Sequence, residues 1–152
     1  MLWKRDVRAM TFEKTRSAGY LANHMARLFA HGLHARIRPL GLAPAQFLVL
    51  LALWEEDGLT QAQLVERLDV EQATMANTLA RMDRDGLIRR TPHPDDRRAF
   101  QVRLTERARE LEAPATAAAD AQNAQALAGL TPREHETLLA LMNRVIANMR
   151  GP

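Results

Sequence analysis

DGLIRRTPHPDDRRAFQVRLT, residues 85–105, reads as two strands around a rigid, charged tip. Leu87 to Thr91 is a short run bounded by Gly86 and Pro92, and Ala99 to Leu104 alternates Phe100, Val102 and Leu104 with Gln101 and Arg103, the period of a half-buried strand. Between them Pro92-His93-Pro94-Asp95-Asp96-Arg97-Arg98 is too stiff and too charged to be core, so it projects into solvent or onto a partner.

Two short helices with a tight connection precede this hairpin. After the break at Asp57-Gly58, Thr60 and Gln63 form a capping box, and Leu59 and Leu64 stand at the staple positions of a helix running through Leu68. Asp69-Val70-Glu71 joins it to a second helix with Met75, Leu79 and Met82 on its inner face and Gly86 as its stop. Helix, tight turn, helix and basic hairpin is the element order of a winged helix-turn-helix, whose second helix enters the major groove of DNA.

The flanks are helical. Leu21, Met25, Leu28 and Phe29 mark one face of a first helix from about Phe12 to Ile37, ended by Pro39 and Gly41. Pro44 starts a second, apolar around most of its circumference through Phe47, Leu48, Leu50, Leu51 and Trp54, and therefore expected to be buried. Thr105 caps a long alanine-rich helix, with Glu106 in its first turn, that fades near Gly129. Thr131-Pro132-Arg133-Glu134 opens the last helix, with an apolar stripe of Leu138, Leu141, Met142, Val145, Ile146 and Met149. The compact middle leaves these outer helices little core, and a second copy of the chain is the simplest cover. The expected fold is mainly α with a small β-hairpin wing: a winged helix-turn-helix over 43–104 and a helical dimerisation region formed by 1–42 and 105–152.

Composition narrows the function. The 152 residues are 26% charged and include no apolar run long enough to cross a bilayer, and the segment Met1 to Met10 lacks the pattern of a secretory signal, so a cytoplasmic location is expected. With no cysteine there is no disulfide framework, thiolate zinc site or thiol switch. The net charge of +3 is unevenly spread: Arg81 to Arg109 holds nine arginines against five acids, a local basic patch suited to a polyanion.

The run 85–105 also resembles the wing signature of the MarR (multiple antibiotic resistance regulator) family: Gly86, the apolar pair Leu87-Ile88, Arg90, the tip Asp96-Arg97-Arg98 and the closing Leu104-Thr105. The likeness extends through PAQFLVLLAL at 44–53 and the helix 59–68 to nearly the whole chain. It implies that Glu71 to Asp85 is the recognition helix, with Gln72, Thr74, Ala76 and Asn77 facing base edges. Their chemistry fits, since Asn and Gln amides pair bidentately with adenine and Thr and Ala contact a thymine methyl. The resemblance further implies Arg98 in the minor groove, Asp96 holding the tip by hydrogen bonds and a charge pair, and Arg97 and Arg90 at phosphates. Arg81 has two readings, a phosphate contact or a pair with Asp85 at helical spacing. Also implied are a homodimer on a pseudo-palindromic double-stranded operator, with recognition helices roughly 34 Å apart, and a small-molecule effector, often aromatic, that releases it.

His24, His31 and His34 lie on roughly one face of the first helix, but without cysteine or an acid at matching spacing they are expected to be solvated or packed, and no metal or cofactor is expected. Phe47, Trp54 and Tyr20 could line an aromatic pocket or be plain core. No nucleotide-binding glycine motif, nucleophile elbow or catalytic carboxylate pair occurs, which argues against an enzyme. The alternative from another class is a helical adaptor whose basic hairpin binds an acidic protein, a reading that leaves the DGLIRR and DDRR pattern unexplained.

Overall fold

A computed structural model of the chain describes residues 11–152. The segment Met1 to Met10, expected not to be a secretory signal, lies outside the described residues, as does the start of the expected 1–42 region.

The first helix starts later than its apolar pattern suggests. Lys14–Arg16 is a 3-10 turn, and α1 runs Ala18–Ile37. Ser17 sets the boundary because its hydroxyl accepts the Tyr20 N–H and so caps the helix there. A second 3-10 turn at Arg38–Leu40 ends at Gly41, whose φ of 78° is in the left-handed region that only glycine enters freely. Then come α2 (Pro44–Glu55), β1 (Leu59–Thr60), α3 (Gln61–Leu68) and α4 (Gln72–Arg84). The wing strands are β2 (Ile88–Pro92) and β3 (Phe100–Leu104), each within a residue of the expected bounds.

The alanine-rich helix is interrupted: α5 is Glu106–Glu110 and α6 is Glu112–Ala126. Pro114 explains the break, having no N–H to offer the Glu110 carbonyl four residues back. The chain leaves the helix before Gly129 (φ 87°), and α7 is Pro132–Arg150, opened by the expected capping box: the Glu134 N–H donates to Thr131 Oγ1 (3.2 Å) and the Thr131 N–H to Glu134 Oε1 (3.0 Å).

Leu59 does more than staple a helix. As β1 it pairs antiparallel with β3, Leu59 opposite Val102, to give a three-stranded sheet in the order β1-β3-β2. Two residues carry too little pattern to be seen as a strand without their partner.

The core lies where α2, α3, α4 and the sheet meet, built from Leu50, Leu53, Leu64, Met75, Leu79, Met82, Leu87 and Ile88, all at most 1% exposed. It continues past 43–104 to Ile37, Ala108 and Ala115. The apolar α2 is buried as expected through Phe47, Leu50 and Leu53, while Leu48 and Leu51 stay partly open. Most other exposed apolar residues lie on the outer helices, among them Leu21, Met25 and Leu28 of α1 and Leu141, Val145, Ile146 and Met149 of α7, while Phe100 is exposed on the wing strand β3. Among the described residues no single helix is long and apolar enough to cross a membrane; α1 with its 3-10 extension and α2 reach that test only as a pair bent by 76°.

Candidate nucleic-acid interface

The rotation of α4 decides which side chains it presents to solvent. At about 100° per residue, Met75, Leu79 and Met82 define its inner side, and all three are buried. The opposite side carries Ala73, Asn77, Ala80, Arg81 and Arg84, every one exposed. Gln72 and Thr74 are also exposed, near the helix start, but Ala76 is half-buried on a flank. Of the four residues expected at base edges, the structure therefore opens three fully. Ala73 and Arg84 share the exposed side with Asn77, as the inner-face pattern carried one more turn in each direction implies.

Arg81 does not pair with Asp85. One carboxylate oxygen of Asp85 accepts from Gln46 Nε2 (3.0 Å) and the other lies 3.5 Å from Arg84 Nε. The Arg81 guanidinium has no hydrogen-bond or ion-pair partner among the described residues, which leaves it open to an outside anion.

The wing tip is held by its own short bonds. Asp96 Oδ1 accepts the Arg98 N–H (2.9 Å), the Asp96 carbonyl accepts the Ala99 N–H (3.2 Å), and His93 Nδ1 accepts the Asp95 N–H (3.0 Å). The hydrogen bonds expected of Asp96 are present; the charge pair is not, since no ion pair to Asp96 occurs among the described residues. The guanidiniums of Arg90, Arg97 and Arg98 are likewise unpaired there and exposed. Arg90 and Arg98 flank a cavity of about 450 Å³ between wing and α4, with Thr60, Gln61 and His93 on its walls. The hydrogen-bonded tip fixes the backbone from which Arg97 and Arg98 extend, so binding an anion has their side chains, and not the loop, left to order.

The wing root is tied to the body through Asp57. Its Oδ1 accepts the N–H groups of Gly58 and Leu104, both at 2.9 Å, and its Oδ2 pairs with Arg109 Nη2 at 3.0 Å. The Thr105 hydroxyl donates to the Gly86 carbonyl (2.7 Å) and accepts the Ala108 N–H (3.2 Å), joining the end of α4, the wing and α5.

The chain belongs to the MarR family. The MarR family model matches residues 42–100, and the chain is 31% identical over 105 residues to transcriptional regulator HosA of Escherichia coli O111:H-, covering 69% of this chain and 78% of that protein. Among solved structures, a Pseudomonas aeruginosa protein described as a probable transcriptional regulator is 32% identical, covers 88% of this chain and 99% of its own, and superposes with a TM-score of 0.81. A MarR family transcriptional regulator from Silicibacter pomeroyi is 29% identical, with 92% and 94% covered and a TM-score of 0.75. MarR proteins are DNA-binding transcriptional regulators and not enzymes.

A mostly apolar cavity of about 610 Å³ lies between α1, α2 and α6, with Phe29, Leu33, Phe47, Leu48 and Leu51 on its walls together with the polar Asn123 and Asp120. Of the aromatics expected to group, Phe47 faces this cavity and meets Trp54 edge-on at 6.1 Å, while Tyr20 stands against His24 instead. Among the described residues no three His, Asp or Glu side chains come together as metal ligands.

Proposed function

We propose that this MarR protein is a sequence-specific, cytoplasmic repressor that binds a pseudo-palindromic DNA operator as a homodimer and is released by a small aromatic effector. The observation that carries the DNA reading is the set of unpaired, exposed arginines on a bonded wing tip beside an open polar helix face. Gln72, Thr74 and Asn77 would meet base edges in the major groove, with Ala76 at the margin of the contact. Arg98 enters the adjacent minor groove, where a narrow groove concentrates negative potential, with Asp96 fixing its backbone. Arg81, Arg90 and Arg97 take phosphates.

The exposed apolar faces of α1 and α7 support the homodimer, since a partner copy covers both with one symmetric contact. The cavity between α1, α2 and α6 supports the effector: it has the size and apolar lining of a small-molecule site, and its walls belong to both the helical region and the reading domain. A ligand that fits it at only one spacing of the two reading heads shifts the balance by its difference in affinity for the two states.

Fluorescence polarisation against duplex DNA from upstream of its own gene, with unrelated competitor and several salt concentrations, tests the reading. Competitor-resistant, salt-sensitive binding that Arg98→Ala weakens supports it. No binding of the wild type even at low salt overturns it and makes an acidic protein the better candidate partner.

A further inference from the structure

Arg38, Arg81 and Arg84 line one cleft of about 350 Å³, together with Thr78 and the start of α2 at Ala43 and Ala45. Arg107 stands behind it, its guanidinium against Gly41 and donating to the Asp85 carbonyl at 2.6 Å. Three guanidiniums therefore line the cleft, with a fourth behind it, and its one acid, Asp85, is already engaged by Gln46 and Arg84. Arg38 and Arg81 have no side-chain partner among the described residues. Ala43, at the N-cap of α2, has no side-chain acceptor to cap the first turn, so the partial positive charge of that helix start adds to the same sign. So much uncompensated positive charge disfavours the empty cleft and favours an anion in it.

We propose that this cleft is a second phosphate clamp, holding the sugar-phosphate backbone beside the recognition helix, with Arg38 and Arg84 as its members alongside Arg81. Position on α4 selects DNA as the occupant. Arg81 and Arg84 stand on either side of Asn77 around the helix circumference, so the clamp is continuous with the open polar face. A duplex seated on that face brings its backbone past Arg38, and arginine matches a phosphodiester bidentately. The inference rests on the DNA reading given above and extends it to a contact that carries no sequence information.

Because a backbone contact acts on any sequence, the probe is a fluorescein-labelled 30-base-pair duplex of random sequence, titrated with wild type, Arg38→Ala, Arg38→Lys and Arg84→Ala between 50 and 200 mM salt. Each phosphate contact contributes about 0.9 to the slope of log K against log salt, so losing one per protomer lowers the slope of a dimer by about 1.8 and makes its affinity loss across that range about twelvefold smaller. Both alanine variants are expected to show this, with Arg38→Lys keeping most of the slope. Arg38 is exposed and its main chain alone ends α1, so its truncation leaves the fold intact, and Arg84→Ala reports the same clamp from another element. Wild-type slopes in both alanine variants overturn the clamp while leaving the DNA reading standing. Absence of duplex binding by the wild type at 50 mM salt overturns both.

Discussion

Gln46 is the one buried polar residue among the described residues, 6% exposed, and it joins the start of α2 to the end of the recognition helix. Its Oε1 accepts the Ala43 N–H at 3.1 Å and its Nε2 donates to Asp85 Oδ2 at 3.0 Å. Gln46→Ala removes both. A hydrogen bond to a carboxylate contributes about 1.5–3 kcal/mol and one between neutral groups about 1 kcal/mol. Because the Asp85 side chain is 38% exposed, water partly replaces the lost donor, so the lower end applies to that bond. The expected loss is about 2–3 kcal/mol, roughly a 4–12 °C fall in Tm for a chain of this length. Thermal unfolding followed by circular dichroism at one protomer concentration measures it, since dimer stability depends on concentration. A double-mutant cycle with Asp85→Ala isolates the bridge, with an expected coupling of about 1 kcal/mol between groups in direct contact. A loss in Gln46→Ala below about 0.5 kcal/mol, or strict additivity in the cycle, would refute the assignment of this pair as the strut behind α4.

Asp57→Ala should cost about 1–3 kcal/mol by orphaning the Leu104 N–H, the Gly58 N–H keeping a second acceptor in the Val102 carbonyl at 3.0 Å. Asp57→Asn keeps the Oδ1 acceptor and should cost less than half as much; equal losses in urea unfolding would contradict the roles given to the two oxygens. Leu79→Ala, at a fully buried site on the inner side of α4, should cost about 2–5 kcal/mol, and a denaturation midpoint equal to wild type would contradict its place in the core. At α7, the Thr131 main-chain N–H and then its hydroxyl hold the exposed Glu134 carboxyl below the usual carboxylate range. A depressed carboxyl stabilises the fold fully above its ordinary value and loses that contribution as pH falls through the depressed one, so Thr131→Ala should raise the Glu134 midpoint in a carboxyl-carbon NMR titration; an unchanged midpoint contradicts the capping box.

Local signals were legible because they depend on neighbours in the chain. The boxes at Thr60-Gln63 and Thr131-Glu134 need three residues' spacing, the inner side of α4 needs only the 3.6-residue period, and the hairpin needs alternation bounded by Gly86 and Pro92. The break at Glu110–Glu112 was also within reach, since Pro114 states it, but the alanine-rich run around it masked the signal.

What the sequence by itself determined is the kind of protein: the element order, the buried face of the reading helix and the basic wing, all written in patterns a few residues long. Only the tertiary structure decided which partners those residues take. It withdrew Asp85 from Arg81 by presenting Gln46 from 39 positions away, turned Leu59 into a strand by laying it against Val102, and gathered Arg38, Arg84 and Arg107 around one cleft. The physical reason is that periodicity and capping report which way a side chain faces, whereas a hydrogen bond or a charge cluster depends on which other element is packed within about 3–4 Å of it, a distance set only when the core closes.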